Sequence, residues 1–173
     1  GLFPAVSAGW VASNEDFLQG NKTISFLKIR GSYGIVGNDQ LGDQRFLYLD
    51  NITVGTGGFT GNLGEAHTVN EDYLGNPDLK WEIAKKGDIG IELGLFDQLN
   101  LTVDLFSERR NNVLITRGTI PTLIGLASSA LPPINLGRIK NQGYEINLKY
   151  EKMLSHDFTI LANLNYSSAR NEV

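Results

Sequence analysis

Residues 99–105 read Leu-Asn-Leu-Thr-Val-Asp-Leu, "LNLTVDL". Leu99, Leu101, Val103 and Leu105 fall on one parity, and Asn100, Thr102 and Asp104 on the other. Period-two alternation is what a β-strand writes when one of its faces is apolar and the other polar, because successive side chains leave opposite sides of the pleat. A helix would need apolar residues three and four apart. The same rhythm recurs upstream in "IGIELGL", residues 89–95, and in "LKIRGSYGI", residues 27–35. It recurs downstream in "YEINLKY", residues 144–150, and in "FTILANLNY", residues 158–166, with Leu161 the one apolar residue on the polar side.

Extended outward, the pattern predicts six main strands, at roughly 3–10, 24–36, 79–96, 99–115, 138–151 and 157–169, and no helix. Pro4 and its small neighbours weaken the first. The expected class is therefore all-β, an antiparallel up-and-down meander. Short links at Asp97-Gln98 and at "EKMLSHD" alternate with long loops near 37–78 and 116–137. In a meander, alternate connections share an end, so the long loops gather at one end and the tight turns at the other. The connection at 11–23 falls at the tight-turn end and is longer than that scheme wants.

Composition narrows the classes. The chain has 173 residues with a formal charge of −4, so it carries no basic footprint for nucleic acid. It has no cysteine, which excludes disulfides and thiolate metal sites. No apolar run is long enough for a transmembrane helix. The opening "GLFPAVSAGW" and the closing "NYSSARNEV" read as the edges of an internal piece of a longer protein.

Alternation alone also describes a soluble β-sandwich, such as a carbohydrate-binding module, whose apolar face turns inward. It stays as the alternative, and two features favour a membrane barrel over it. The expected strands reach about 13 to 18 residues, where strands of globular domains run nearer five or six and a membrane-crossing strand needs about 9 to 11. Tyr144, Tyr150, Phe158 and Tyr166 share the apolar parity near strand ends, as in the aromatic girdles of outer-membrane barrels. In hydrocarbon an unpaired backbone N–H or C=O costs several kcal/mol, so lipid-facing strands must close into a ring. Six strands cannot close around polar side chains such as Lys28, Arg30, Glu92 and Glu145, so the ring needs strands from elsewhere.

The sequence then resembles a known family. "LFPAVSAGW", "LKIRGSYGIVGN", "NPDLKWE" with "GDIGIELGLF", "LTVDLFSERRNNVL" and "GRIKNQGYEINL" occur in order. They are similar to successive signatures in the C-terminal barrel of SusC/RagA-like TonB-dependent transporters. Gly31 stands where a small residue such as Ala is expected, and Ser107 where an aromatic is common. The resemblance implies an outer-membrane barrel of about 22 strands. It implies TonB-coupled import of oligosaccharides or peptides, with a SusD-like lipoprotein over the mouth. TonB would be reached through an N-terminal region, since no plug domain or TonB box is recognised in these residues. A siderophore or cobalamin receptor is the alternative within the class.

The two faces then acquire solvents. Lys28, Arg30, Glu92, Thr102, Asp104, Glu145, Asn147, Lys149 and Asn163 are the candidates for the lumen. Leu27, Ile29, Tyr33, Trp81, Ile91, Leu93, Leu101, Val103, Tyr144, Ile146, Leu148, Tyr150, Phe158, Ile160, Leu164 and Tyr166 are the candidates for outer-membrane lipid. "NPDLKWE", residues 76–82, is expected to be where the chain drops from a long outer loop into the wall, with Pro77 at the entry and Trp81 at the interface.

No catalytic, cofactor or metal site is expected, and the protein is not read as an enzyme. His67 and His156 have no zinc spacing. "GTGGFTG", residues 55–61, lacks the P-loop lysine, and "NDQLGDQ", residues 38–44, lacks the spacing of a calcium loop. Asn21, Asn51, Asn100 and Asn165 match the glycosylation triplet, which a bacterial outer membrane would not use. Glu108-Arg109-Arg110 reads as a solvated rim at the end of the fourth strand. Asp104 and Glu92, on one parity in adjacent strands, read as wall residues rather than an acid–base pair.

Overall fold

A computed structural model describes residues 1–39, 46–56, 67–115 and 131–173. Eight strands occupy most of them: β1 Ala5–Val11, β2 Ile24–Asn38, β3 Asn51–Thr56, β4 His67–Tyr73, β5 Glu82–Leu95, β6 Leu99–Ile115, β7 Ile134–Ser155 and β8 Phe158–Glu172. Six form one sheet in the order β1-β2-β5-β6-β7-β8, and β3 and β4 form a separate two-stranded ribbon. The six match the expected meander. β1 and β2 pair antiparallel with Ala8 opposite Gly31 and Trp10 opposite Ile29. β7 and β8 pair antiparallel with Ile146 opposite Tyr166 and Leu148 opposite Leu164.

Three details differ from the sequence reading. First, β5 starts at Glu82 rather than 79, so Leu79 and Trp81 precede the strand. Second, the 37–78 connection is not all loop, because β3 and β4 lie in it and pair with Val54 opposite Val69. Third, β7 and β8 run past the expected ends, to Ser155 and Glu172, and β6 carries Glu108 and Arg110 inside the strand rather than at its end. A single 3-10 turn, Ala12–Asn14, follows β1.

The hairpin joining β5 and β6 turns on Phe96 and Asp97, at φ 57° and 55°. Gln98 donates its N–H to the Leu95 carbonyl at 3.0 Å. Two successive left-handed residues give the turn whose twist matches the flanking strands. β7 and β8 are joined as tightly, with Ser155 opposite Phe158.

The described residues form two compact units. One comprises Gly1–Gly37, Ile83–Arg110 and Ile139–Val173, and the other Asn38–Glu82 and Asn111–Arg138. Neither encloses a conventional core: among the described residues the buried apolar ones are Ala12, Leu47 and Ala84. A sandwich would bury one whole face of its sheet. Here Ile29, Tyr33, Ile89, Ile91, Leu105, Tyr144, Leu164 and Tyr166 stay exposed. Burying a side chain of this size is worth about 1.5–3 kcal/mol, so this face is built to be covered by something outside the described residues.

Candidate functional site

The polar parity assembles into an ion-pair ladder around Arg30. From β2 its guanidinium donates to Asp88 at 3.0 Å and Glu92 at 3.3 Å on β5, and reaches Asp104 on β6 at 2.5 Å. Lys28, two residues away and on the same face, donates to Glu92 at 3.1 Å. One cation thus binds three carboxylates on two strands. The guanidinium suits this, being a planar fork of five donors.

The reach across β5 depends on Gly90. A Cβ there would stand 2.7 Å from the Arg30 Cζ and would also meet the Asp104 carboxylate. A side chain there would push the Arg30 guanidinium and the Asp104 carboxylate away from these positions. Gly9 lies opposite Arg30 on β1, so the arginine is flanked by glycine on both sides.

Beyond Asp104 the face becomes amide- and hydroxyl-rich. Thr102, Asp104, Glu145, Ile146, Asn147, Asn165, Tyr166 and Ser167 line a cleft of about 250 Å³. Asn147 donates to Asn163 at 3.1 Å and also to Asn165. Lys149 pairs with Glu151 on its own strand at 3.5 Å, with both side chains half exposed. Further along, Lys86 and Arg110 both pair with Glu108. Of the nine lumen candidates, Lys149 stands opposite Asn163 in the β7–β8 register. Lys28, Arg30, Glu92 and Asp104 are joined directly, Thr102, Glu145 and Asn147 sit round the cleft, and Asn163 is joined to Asn147.

Asp88 belongs to this ladder and Lys86 to the separate cluster on Glu108, and neither was singled out from the sequence. The signal was available: Asp88 and Lys86 extend the even parity of Glu92 two and three places upstream. Arg30 lies between Glu92 and Asp104 and binds both.

The opposite face carries the apolar parity. Ile29, Tyr33, Ile91, Tyr144, Phe158, Ile160, Leu164 and Tyr166 are exposed. Leu27, Leu93, Leu101, Val103, Ile146, Leu148 and Tyr150 are partly so. The Tyr144 and Tyr166 rings lie 5.9 Å apart between centroids. Trp81 is exposed and lies ahead of β5 rather than on it.

Among the described residues no group of three or more His, Asp or Glu side chains is placed to hold a metal ion. No described helix is long and apolar enough to cross a membrane, which says nothing of strands. Most of the stretches 38–44 and 55–61 lies outside the described residues.

This stretch of sheet has counterparts among known proteins. The family model described as TonB dependent receptor-like, beta-barrel matches residues 1–173. The chain belongs to this family. TonB-dependent receptor P39 of Formosa agariphila is 33% identical over 174 residues, covering 100% of this chain and 16% of that protein. TonB-dependent receptor SusC of Bacteroides thetaiotaomicron is 25% identical over 175 residues, covering 100% of this chain and 17% of SusC. The structure of the RagAB peptide importer in its closed-closed state superposes with a TM-score of 0.79 at 27% identity, over 98% of this chain and 18% of that one. In the open-open state the TM-score is 0.80. This stretch of receptor barrel therefore spans less than a fifth of the relatives it matches.

Proposed function

We propose that these residues are a run of wall in an outer-membrane, TonB-coupled importer of oligosaccharides or peptides. The ladder around Arg30 and the cleft at Glu145 and Asn147 line its water-filled lumen, and the bare apolar face meets lipid. The observation that carries this reading is the segregation of the two faces. Three carboxylates and two cations are satisfied on one side of β2, β5 and β6, while isoleucine, leucine and tyrosine side chains lie uncovered on the other. In a barrel every strand has two neighbours, and β1 and β8, at the two edges of this sheet, would pair with strands supplied by the rest of the protein.

The likeness to SusC and to the RagAB peptide importer favours oligosaccharide or peptide cargo over a siderophore or cobalamin. It also supports a SusD-like lipoprotein partner at the outer mouth, above the long connections at 37–78 and 116–137. The plug and the TonB contact would come from other parts of the protein, and this stretch alone would not transport. The test is uptake of labelled oligosaccharides and of labelled short peptides by cells carrying the full-length receptor, with and without TonB. TonB-dependent uptake of one class supports the proposal, and uptake of ferric siderophores or cobalamin instead overturns it.

A further inference from the structure

Three asparagine side chains tie together segments that are far apart in sequence. The Asn135 side-chain oxygen accepts the Lys80 N–H at 2.8 Å, and its amide donates to the Lys80 carbonyl at 2.8 Å and to the Asn112 carbonyl at 2.7 Å. Asn135 thus exchanges a donor and an acceptor with Lys80 as a paired strand residue would, but with its side chain. Asn112, in the left-handed region at φ 60°, donates its side-chain amide to the Trp81 carbonyl at 3.4 Å. Asn76 donates to the Pro133 carbonyl at 3.0 Å, and its side-chain oxygen accepts the Asp78 N–H at 3.0 Å. The Asn76 N–H in turn donates to the Leu47 carbonyl at 2.9 Å.

These contacts explain why β5 starts late. The backbone at Lys80 is already paired, and the partner is an amide side chain that carries donor and acceptor together. A carboxylate could accept from Lys80 but could not donate to the two carbonyls.

We infer that Asn76, Asn112 and Asn135 form a latch. It makes residues 46–50, 75–82, 111–115 and 131–138 open and close as one cooperative piece, so that a partner or ligand engaging one segment changes the others. All lie in the same compact unit. Coupling then travels through bonds that are either all made or all lost, the two-state element that such a claim requires.

Amide hydrogen exchange followed by mass spectrometry on the full-length receptor in detergent micelles tests this, comparing wild type with Asn135→Ala and Asn76→Ala. Asn76→Ala is the decisive variant. It removes bonds to Pro133 and Asp78 only, so a change at Lys80 or at 111–115 reports coupling. The expected result is exchange at least about fivefold faster in peptides covering 75–82, 111–115 and 131–138 alike, with the β1–β2 ladder unchanged; about fivefold corresponds to losing roughly one net hydrogen bond. Faster exchange confined to 76–78 overturns the latch, and so does a rise that includes Ala5–Val11. If Asn135→Ala does not fold, Asn135→Asp, which keeps the acceptor for Lys80 but loses both donated bonds, is expected to exchange at 111–115 at least as fast as Asn76→Ala, and wild-type exchange there overturns the latch.

Discussion

Replacing Arg30 by Met keeps the aliphatic stem and removes the charge from the centre of the ladder. Three carboxylates then lose a partner: Asp88 at 3.0 Å, Glu92 at 3.3 Å and Asp104 at 2.5 Å. Glu92 keeps Lys28 at 3.1 Å. The Arg30 side chain is 35% exposed, and the three acids are 31%, 30% and 21% exposed. Fully exposed pairs contribute about 0.2–1 kcal/mol each, and breaking a fully buried pair costs about 3–5 kcal/mol. At this intermediate burial about 0.5–1 kcal/mol per lost pair is reasonable, with solvent screening included. The expected total is about 2 kcal/mol, a factor of about 30 in the ratio of folded to unfolded barrel.

Urea titration of the full-length receptor in micelles, followed by tryptophan fluorescence, measures this loss. A double-mutant cycle with Asp104→Asn isolates the contact across Gly90, for which a coupling of about 1 kcal/mol is expected. Both values should shrink in about 1 M salt, where the Debye length falls to about 3 Å, because the network stands at a wet surface. A destabilisation under about 0.3 kcal/mol, or a coupling of zero, would mean that the ladder is a static arrangement without energetic weight.

Gly90→Val should cost about as much as removing Arg30, since its Cβ displaces the guanidinium from Asp104, and combining the two substitutions should cost little more than either alone; additive losses would separate Gly90 from the ladder. Ile91→Arg, on the apolar face, should lower folding into lipid bilayers by about 2–4 kcal/mol if it lies near the midplane, while Thr102→Arg on the polar face should leave folding near wild type. Trp81→Asp should reduce the amount of barrel recovered from the outer membrane without altering ligand preference; full recovery would remove the interfacial role assigned to this indole.

The wall was legible in the sequence because a single rule governs it. Where alternation is strict, as at 99–105 and 144–150, the strand and its two faces follow from residue type. The rule falls silent where side chains take over the backbone's pairing. The NPDLKWE stretch alternates like a strand, but Asn135 satisfies Lys80, and no local pattern places Asn135 beside it. The β3–β4 ribbon was missed because Ile52 and Val54 offer too few alternations in a long polar segment. In the polar face, the membership of Lys28, Arg30, Glu92 and Asp104 was readable from parity. Their mutual bonding was not, because it depends on register between strands and on a glycine whose missing Cβ clears the way. Asp88 was overlooked only because the reading began one residue too late.

The chain contains no cysteine, so single cysteines can be placed along β7 and spin-labelled in the full-length receptor, with any cysteine elsewhere in it replaced, in lipid bilayers. Collision of each label with oxygen, which concentrates in lipid, is compared with collision with a water-soluble nickel complex. The account predicts a period of two: labels at 144, 146, 148 and 150 meet oxygen, and labels at 145, 147 and 149 meet nickel. Labels that show the opposite phase, or that are shielded from both reagents on the 144–150 parity, would contradict an apolar face turned to lipid.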